Sequence, residues 1–268
     1  MISVVFITFN RSQLLLRAVA SLRPALEGLG RPYELIVADD CSDPEHLQAI
    51  RSLEGVTLVQ AVANSGLGAN ANAGLRACRG EWILQVQDDW EYIGDSHDIA
   101  RAIDVMEQDS SVGIVQLTPV HSDLPSARRE SMSGAHVVFA NDGLPWRRAC
   151  NLRPYSDCPH IKRREFVDRV GPYLEGVPMT VCESDYQRRV SCQRTWRVAQ
   201  LLGSPLFVHL GEAHSLNPGG RRHPVVKLLH SIPVVGGLSE RCLRWFLSRA
   251  DHVCAVVCGY VFMRERTP

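Results

Sequence analysis

Short apolar runs alternate with longer amphipathic segments along the first third of the chain. The apolar runs are rich in aliphatic residues and have the length of strands. They lie at 4–8, 35–38, 56–62 and 82–87. A segment between them repeats apolar residues at helical spacing, as Leu15, Val19 and Leu22 show. Strands that are apolar on both faces and alternate with helices predict an α/β fold, with a mainly parallel sheet flanked by helices.

The later part of the chain is less regular. From about Leu117 to Arg153 the sequence is rich in Ser, Pro, Arg and Asn, and we expect an insertion over the ligand site. Between Leu238 and Met263, apolar residues recur at helical spacing and arginines fall elsewhere, which predicts an amphipathic helix. The pattern therefore divides the chain into a domain over 1–220 and a C-terminal helical tail over 221–268.

Composition places the chain among ordinary globular proteins, with 45% apolar and 22% charged residues. The 29 basic and 29 acidic side chains cancel, so no overall field attracts nucleic acid, and we expect no nucleic-acid partner. The nine cysteines include no C-x-x-C pair, which favours reduced thiols in a cytoplasmic protein. The first residues read as a strand and not as a signal peptide, and no apolar stretch reaches the roughly 18 residues of a membrane-spanning helix.

Two pairs of carboxylates follow the second and fourth apolar runs. They are Asp39–Asp40 and Asp88–Asp89. Ligands of open parallel sheets bind beyond the carboxyl ends of the strands, so we expect both pairs at one binding edge. Adjacent carboxylates repel each other unless a cation lies between them, and Mg²⁺ or Mn²⁺ prefers such oxygen ligands together with phosphate oxygens. A solvated turn or a helix cap remains the alternative for each pair, and for Asp40 that cap is at the helix starting near Pro44.

A loop rich in glycine and asparagine, 64–74, precedes the next helix and lets backbone approach a ligand closely. Its segment Gly66–Ala71 also fits G-x-G-x-x-[GA], with Asp88 about twenty residues further on, as in dinucleotide-binding proteins. This pattern supports an NAD(P)- or flavin-dependent oxidoreductase as an alternative. Against it, the loop follows the third predicted strand and not the first, and the acidic position is a doublet.

Four motifs together resemble the donor half of the family 2 glycosyltransferases, which have the GT-A fold. These motifs are Phe6–Arg11, Val37–Ser42, Asn64–Gly74 and Gln87–Asp89. The resemblance covers residues 2–90 strongly and 154–218 more loosely. It implies a GT-A Rossmann-like catalytic domain with a donor half, 1–116, and an acceptor half, 117–220. One departure is Ala71, which stands where many members carry an arginine.

The resemblance also implies roles for individual residues. Asp40 is expected to contact the nucleotide base. Asp88 and Asp89 correspond to the variant DxD motif that holds ribose and a divalent cation, Mn²⁺ or Mg²⁺. The residues expected to bind the donor nucleotide are Thr8, Phe9, Asn10, Asp40, Asn64, Gly66, Asn72 and Asp88.

In the acceptor half, Cys182–Arg189 resembles the acidic motif that opens a helix and supplies the general base of inverting members. Asp185 is the first choice, and Glu183 is the alternative because Ser184 splits the usual adjacent pair. Acids complementing a helix dipole would explain both equally. His209 ends an apolar run that resembles the place where many family members supply a histidine near the metal or diphosphate. The resemblance makes it the expected third metal ligand, with His214 and a purely structural role for His209 as the alternatives.

A basic cluster precedes this motif, comprising Arg153, His160, Lys162, Arg163 and Arg164. It could meet phosphates, but we expect most of it to be solvated surface.

These features predict a metal-dependent glycosyltransferase of the hexosyltransferase class, of the kind used in cell-surface polysaccharide biosynthesis. It would move a sugar from a nucleoside-diphosphate sugar to a hydroxyl acceptor (glycan, lipid-linked or small-molecule), with inversion. A non-catalytic nucleotide-sugar-binding protein is a second alternative. The tail either packs on the catalytic domain or makes peripheral contact with the inner face of the membrane.

Overall fold

The structure is a computed structural model, and it describes residues 1–118, 128–139, 155–193 and 195–211. The chain divides into two compact units, Met1–Ala213 and His214–Pro268. The second unit lies outside the described residues, as do His214, Arg153 and most of the expected insertion. The boundary at residue 220 and the amphipathic tail therefore stay predictions.

The described residues form eleven strands and six helices. The strands are β1 (Ile2–Thr8), β2 (Tyr33–Asp39), β3 (Val56–Gln60), β4 (Trp82–Gln87), β5 (Trp90–Tyr92), β6 (Val112–Gln116), β7 (Arg128–Met132), β8 (Ala135–Phe139), β9 (His160–Arg163), β10 (Arg197–Leu202) and β11 (Phe207–His209). The helices are α1 (Ser12–Gly28), α2 (Pro44–Arg51), α3 (Gly66–Ala77), α4 (Ser96–Gln108), α5 (Arg164–Val170) and α6 (Met179–Ser191). The four apolar runs of the first third are β1 to β4, as predicted.

Nine strands form one sheet in the order β3-β2-β1-β4-β9-β6-β10-β8-β7. The strands β1 to β4 are mutually parallel, and β6 and β10 are parallel to each other. Only β9 and β8 run against the others. The strands β5 and β11 pair separately as a small antiparallel sheet. The predicted α/β fold with a mainly parallel sheet flanked by helices is confirmed.

The sheet is covered on both faces, which explains why its central strands read as continuous apolar runs. Val4 and Phe6 of β1 belong to a core shared with α1 and α4. Their neighbours Val5 and Ile7 point to the other face and join a core shared with α3 and α6. Within the described residues, none of the helices has both the length and the apolar character needed to cross a bilayer.

The strand β9 lies in the middle of the sheet, between β4 and β6. His160 and Lys162 are therefore completely buried. Arg163 and Arg164 donate to main-chain carbonyl groups, among them those of Val112 and Gly80, at 2.9 Å each. The expectation that most of this basic cluster is solvated surface is wrong, because the short polar sequence forms an interior strand.

The buried amine of Lys162 starts a hydrogen-bonded chain that passes through β4 and reaches Tyr173 and Asp157. It donates to Gln85 Oε1 at 2.8 Å, and Gln85 donates through Nε2 to the Tyr173 hydroxyl at 3.1 Å. The hydroxyls of Tyr173 and Tyr155 both donate to Asp157 Oδ1. Gln85 lies on β4, so this network ties the strand that leads into Asp88 to the loop before α6.

Candidate active site

The carboxyl ends of β1, β2 and β4 meet at one edge of the sheet because these strands are parallel and in register. Thr8, the last residue of β1, lies opposite Asp39 of β2, and Ile7 lies opposite Gln87 of β4. The two acidic pairs follow at this edge, and the Thr8 hydroxyl donates to Asp88 Oδ2 at 2.8 Å. All four aspartates are buried. The structure thus brings Thr8 and both acidic pairs to one edge of the sheet.

The first acidic pair organises the surrounding loops. Asp39 accepts hydrogen bonds from the backbone N–H and the hydroxyl of Ser42. Asp40 accepts from the backbone N–H groups of Ser65 and Gly66, at 2.8 Å each, so it caps α3 and not α2. Gly66 has φ +82°, a conformation that favours glycine. Each carboxylate oxygen of Asp40 keeps a second lone pair, which leaves it able to accept from a nucleotide base.

The second acidic pair holds a cation supplied by the chain itself. Arg11 Nη1 lies 3.2 Å from Asp88 Oδ1 and 2.9 Å from Asp89 Oδ2. Burial raises the pKa of Asp88 to about 6, although the Thr8 hydrogen bond and the charge of Arg11 oppose this. The site residues expected from the sequence did not include Arg11. The signal available was its position directly after Asn10 in the first motif.

Residues 207–211, more than a hundred positions further along the chain, pack beside Asp89. The strand β11 pairs with β5 so that His209 lies opposite Trp90, with ring centroids 4.7 Å apart. His209 Nε2 is 3.4 Å from Asp89 Oδ2, and the Leu210 N–H donates to the Asp89 carbonyl at 2.7 Å. A Cβ atom on Gly211 would lie 2.3 Å from Asp89 Oδ2, so a side chain there would displace the carboxylate. His209 is thus placed beside the acidic pair.

The acidic pair fits a divalent cation. Asp89 Oδ1 is buried without a hydrogen-bond partner, and the two carboxylates hold a positive group between them. Carboxylate oxygens are the ligands that Mg²⁺ and Mn²⁺ favour. The described residues contain no group of three or more His, Cys, Asp and Glu side chains that could hold a metal alone. A metal bound here would therefore need ligands beyond those that the described residues provide.

Two of the expected nucleotide ligands follow β1. Asn10 has φ +52° and exchanges two hydrogen bonds with Asp43, at 2.8 Å and 3.1 Å. Its own N–H donates to the Ser42 hydroxyl at 2.8 Å. These contacts fix the turn between β1 and α1 and hence the backbone position from which the Arg11 side chain extends. Phe9 is half-buried in the same turn.

The expected ligands of the glycine-rich loop divide into two groups. Asn64 is exposed, ahead of α3. Asn72 is buried and donates to the Tyr173 carbonyl at 2.9 Å and to Glu175 at 2.8 Å, while it accepts from the Tyr173 N–H at 2.8 Å. A Cβ atom on Gly68 would lie 1.9 Å from the Leu174 carbonyl oxygen. Asn72 and Gly68 therefore hold α3 against the loop 172–178, and the nucleotide contact expected of Asn72 stays a prediction.

The two candidate bases on α6 have different surroundings. Asp185 is paired with Arg188 at 3.0 Å and with Arg189 at 2.7 Å. Glu183 is partly buried, and nothing in the described part of the chain forms an ion pair or hydrogen bond with it. Burial, followed by the negative charge of Asp157, raises the pKa of Glu183 to about 7. A carboxylate with that pKa can accept a proton near neutral pH.

Comparisons with known proteins identify the family of this chain. The model of the family described as "Glycosyl transferase family 2" matches residues 3–164. An uncharacterized glycosyltransferase of Haemophilus influenzae is 24% identical over 115 residues, which cover 43% of this chain and 37% of that protein.

Solved structures share the fold at low sequence identity. The mannosyltransferase PcManGT from Pyrobaculum calidifontis, in complex with GDP-Man and Mn²⁺, has a TM-score of 0.55 at 15% identity, over 80% of this chain and 58% of that chain. S. aureus TarS 1–349 in complex with UDP-GlcNAc has a TM-score of 0.52 at 18% identity, over 80% and 61%. GalNAc-T7 with UDP, GalNAc and Mn²⁺ has a TM-score of 0.54 at 16% identity, over 77% and 43%.

The chain spans less than two thirds of the length of each of these relatives. The family match nevertheless extends over more than half of the chain and contains both acidic pairs. The chain therefore belongs to glycosyl transferase family 2 and has the GT-A fold of its structural neighbours.

Proposed function

We propose that the chain is a metal-dependent glycosyltransferase that moves a sugar, with inversion, from a nucleoside-diphosphate sugar to a hydroxyl acceptor. The observation that carries this proposal is the pair Asp88–Asp89, buried at the carboxyl edge of β4 and gathered around a positive group. Two structural neighbours, PcManGT and GalNAc-T7, are in complex with Mn²⁺ and a nucleotide or nucleotide sugar, which supports the same cofactor here.

A few residues at the carboxyl ends of β1, β2 and β4, here called the donor edge, would bind the metal and the nucleotide sugar. Asp89 and Asp88 would hold Mn²⁺ or Mg²⁺, with His209 beside them, and the cation would offset the charge of the departing diphosphate. Asp88 is oriented by the Thr8 hydroxyl, and its second role is to bind the ribose. Asp40, fixed by the N-terminus of α3, would accept from the base. Asn64 and Gly66 belong to the loop that precedes α3, and Phe9 lies in the turn after β1, and we propose that they contact the donor nucleotide as well.

Glu183 is our choice for the general base. Its carboxylate would take the proton from the acceptor hydroxyl while that oxygen bonds to the anomeric carbon and the diphosphate leaves with the bonding electrons. Asp185, the first choice from the sequence, is instead bound to Arg189, whose guanidinium also donates to the carbonyls of Val170 and Pro172 at 2.6 Å and 2.7 Å. Asp185 is then a positioning residue, which through Arg189 holds α6 against the end of α5 and the residues that follow it.

The alternative functions have less support. The comparisons give no support for the oxidoreductase, and the glycines of its fingerprint have other uses, since Gly66 provides a positive φ and Gly68 a close helix–loop contact. A non-catalytic binding protein would have no need for a carboxylate such as Glu183 that is partly buried and unpaired. The hydroxyl acceptor, a role in polysaccharide synthesis, the cytoplasmic location and any membrane contact of the tail stay predictions.

The test is a screen of nucleotide sugars with and without Mn²⁺, read by thermal shift and by release of the nucleoside diphosphate. We expect one donor to raise the melting temperature only with Mn²⁺ and to be turned over. Asp89→Asn should remove both effects, whereas Glu91→Gln, which changes an exposed ion pair with Arg17 at 2.7 Å, should keep them. Metal-independent stabilisation, or undiminished turnover by Asp89→Asn, would refute the proposed site.

A further inference from the structure

Arg11 occupies the place that a metal ion would need. A single nitrogen, Nη1, contacts one oxygen of Asp88 and one of Asp89. The side chain of Arg11 is 17% exposed, and those of its partners are 6% and 9% exposed. Such ion pairs are far less screened by solvent than surface pairs. The chain itself therefore offsets part of the negative charge of the buried acidic pair.

A divalent cation bound to the oxygens that face Arg11 Nη1 would lie next to the guanidinium, and the two positive groups would repel each other. These oxygens belong to the two carboxylates expected to bind the metal. A cation that binds both of them is therefore favoured when the guanidinium leaves. Removing Arg11 would leave the carboxylates buried without a counter-charge, which is strongly unfavourable until a cation arrives.

After displacement by a cation, the Arg11 side chain would remain near Asp88 and Asp89. The main chain before Arg11 is fixed, because Asn10 is held by Ser42 and Asp43. The side chain itself is long, and its Nε is buried without a hydrogen-bond partner, so the guanidinium is not fully satisfied in its present position. A planar guanidinium at a metal–diphosphate site binds phosphate oxygens in a bidentate manner.

We infer that Arg11 is the resident counter-cation of Asp88 and Asp89, that a divalent cation displaces it, and that the displaced guanidinium then binds the donor diphosphate. The last step rests on the proposed function, whereas the displacement does not. Arg11 thus opposes binding of the metal alone and favours binding of the metal together with a diphosphate.

Two titrations of the full chain test the inference, one with Mn²⁺ alone and one with Mn²⁺ and inorganic pyrophosphate, with free Mn²⁺ measured by electron paramagnetic resonance. We expect Arg11→Ala to bind Mn²⁺ alone about tenfold more tightly than the wild type. The same variant should bind Mn²⁺ with pyrophosphate about tenfold more weakly. The matched control is Arg17→Ala, on the helix α1 that Arg11 precedes and in an exposed ion pair, and it should change neither affinity by more than about twofold.

The opposite signs are the decisive feature, because a variant that only damages the fold would weaken both affinities. Arg11→Ala binding Mn²⁺ alone no more tightly than the wild type would overturn the displacement, and unchanged pyrophosphate binding would overturn the second step. If Arg11→Ala does not fold, Arg11→Lys should show the same signs with smaller changes. The Mn²⁺ titration needs no sugar donor, so failure to find a donor would refute the proposed function and leave the displacement standing.

Discussion

Two acidic side chains of α6, only two residues apart, differ in what surrounds them. Asp185 is held by two arginines of its own helix. Glu183 has its pKa raised to about 7 by burial. At the scale of single residues, the two carboxylates therefore suit different roles. Asp185 is neutralised by arginines and fixes structure, whereas we propose that Glu183 exchanges a proton.

Glu183→Gln should reduce transfer by about 10²- to 10⁴-fold, because the amide cannot accept the proton of the acceptor hydroxyl. In the wild type, Glu183 is active when deprotonated, so kcat/KM should rise as the pH increases through about 7 and level off above it. The variant should lose this rise. The measurement is the pH dependence of kcat/KM with the donor found in the screen.

Asp185→Asn is the paired variant. It should keep the pH dependence, because Glu183 remains, and should lower kcat mainly through loss of the Arg189 contact. If instead Asp185→Asn removed the rise near pH 7 and Glu183→Gln kept it, the roles of the two residues would be reversed.

At the scale of elements, one carboxylate joins a strand to a helix that begins 26 residues later. Asp40 follows β2, and its two oxygens accept from backbone N–H groups at the N-terminus of α3. An asparagine there has one acceptor oxygen and turns an amide N–H₂ towards a backbone donor. The contact therefore depends on both oxygens of the carboxylate.

Asp40→Asn should lower the free energy of unfolding by about 1–3 kcal/mol, since a backbone N–H of Ser65 or Gly66 loses its buried acceptor. Urea titration monitored by circular dichroism measures the loss. Asp43→Asn, in the same loop but at an exposed hydrogen bond with Asn10, should change stability by no more than about 0.5 kcal/mol. Equal effects of the two variants would contradict the capping role of Asp40.

Much of the donor edge could be predicted from sequence for a simple reason. The apolar runs of β1, β2 and β4 identify parallel strands, and parallel strands bring the residues after their last positions to one edge. What local pattern did not supply was the identity of hydrogen-bond partners. Asn72 meets the Tyr173 backbone across about a hundred residues of sequence, and nothing in the loop 64–74 indicates that contact.

The strand β9 is a second feature that the sequence pattern did not predict. Its residues His160–Arg163 are polar and basic, a pattern typical of an exposed edge, yet the strand is central. Lys162 is accommodated by Gln85 and by the rings of Tyr173 and Tyr186, whose centroids lie 5.6 Å and 5.3 Å from its amine. These partners come from three separate parts of the chain, so no sequence window contains the explanation.

At the scale of the whole molecule, the buried Lys162 should make stability depend on pH. Burial lowers its pKa from 10.5 to about 8. The folded state therefore disfavours the protonated amine. The contribution of Lys162 to stability is largest above pH 10.5 and is lost as the pH falls to about 8.

Lys162→Met should remove this dependence. Between about pH 7 and about pH 9.5, the free energy of unfolding of the wild type should increase by about 2 kcal/mol relative to the variant. Urea unfolding at both pH values measures the difference. Gln85→Met, which keeps the amine and removes its hydrogen-bond acceptor, should retain the wild-type trend, and parallel curves for wild type and Lys162→Met would show that the amine is not responsible.

The central position of β9 has a consequence for how the chain is made. A ribosome that has released only residues 1–116 has delivered β4 and β6 but not the strand that pairs with both. Until β9 emerges, a few seconds later at about 5–20 residues per second, one side of β4 offers unpaired backbone groups to other chains. We therefore expect co-translational association with other chains to be most favoured in the interval before β9 emerges.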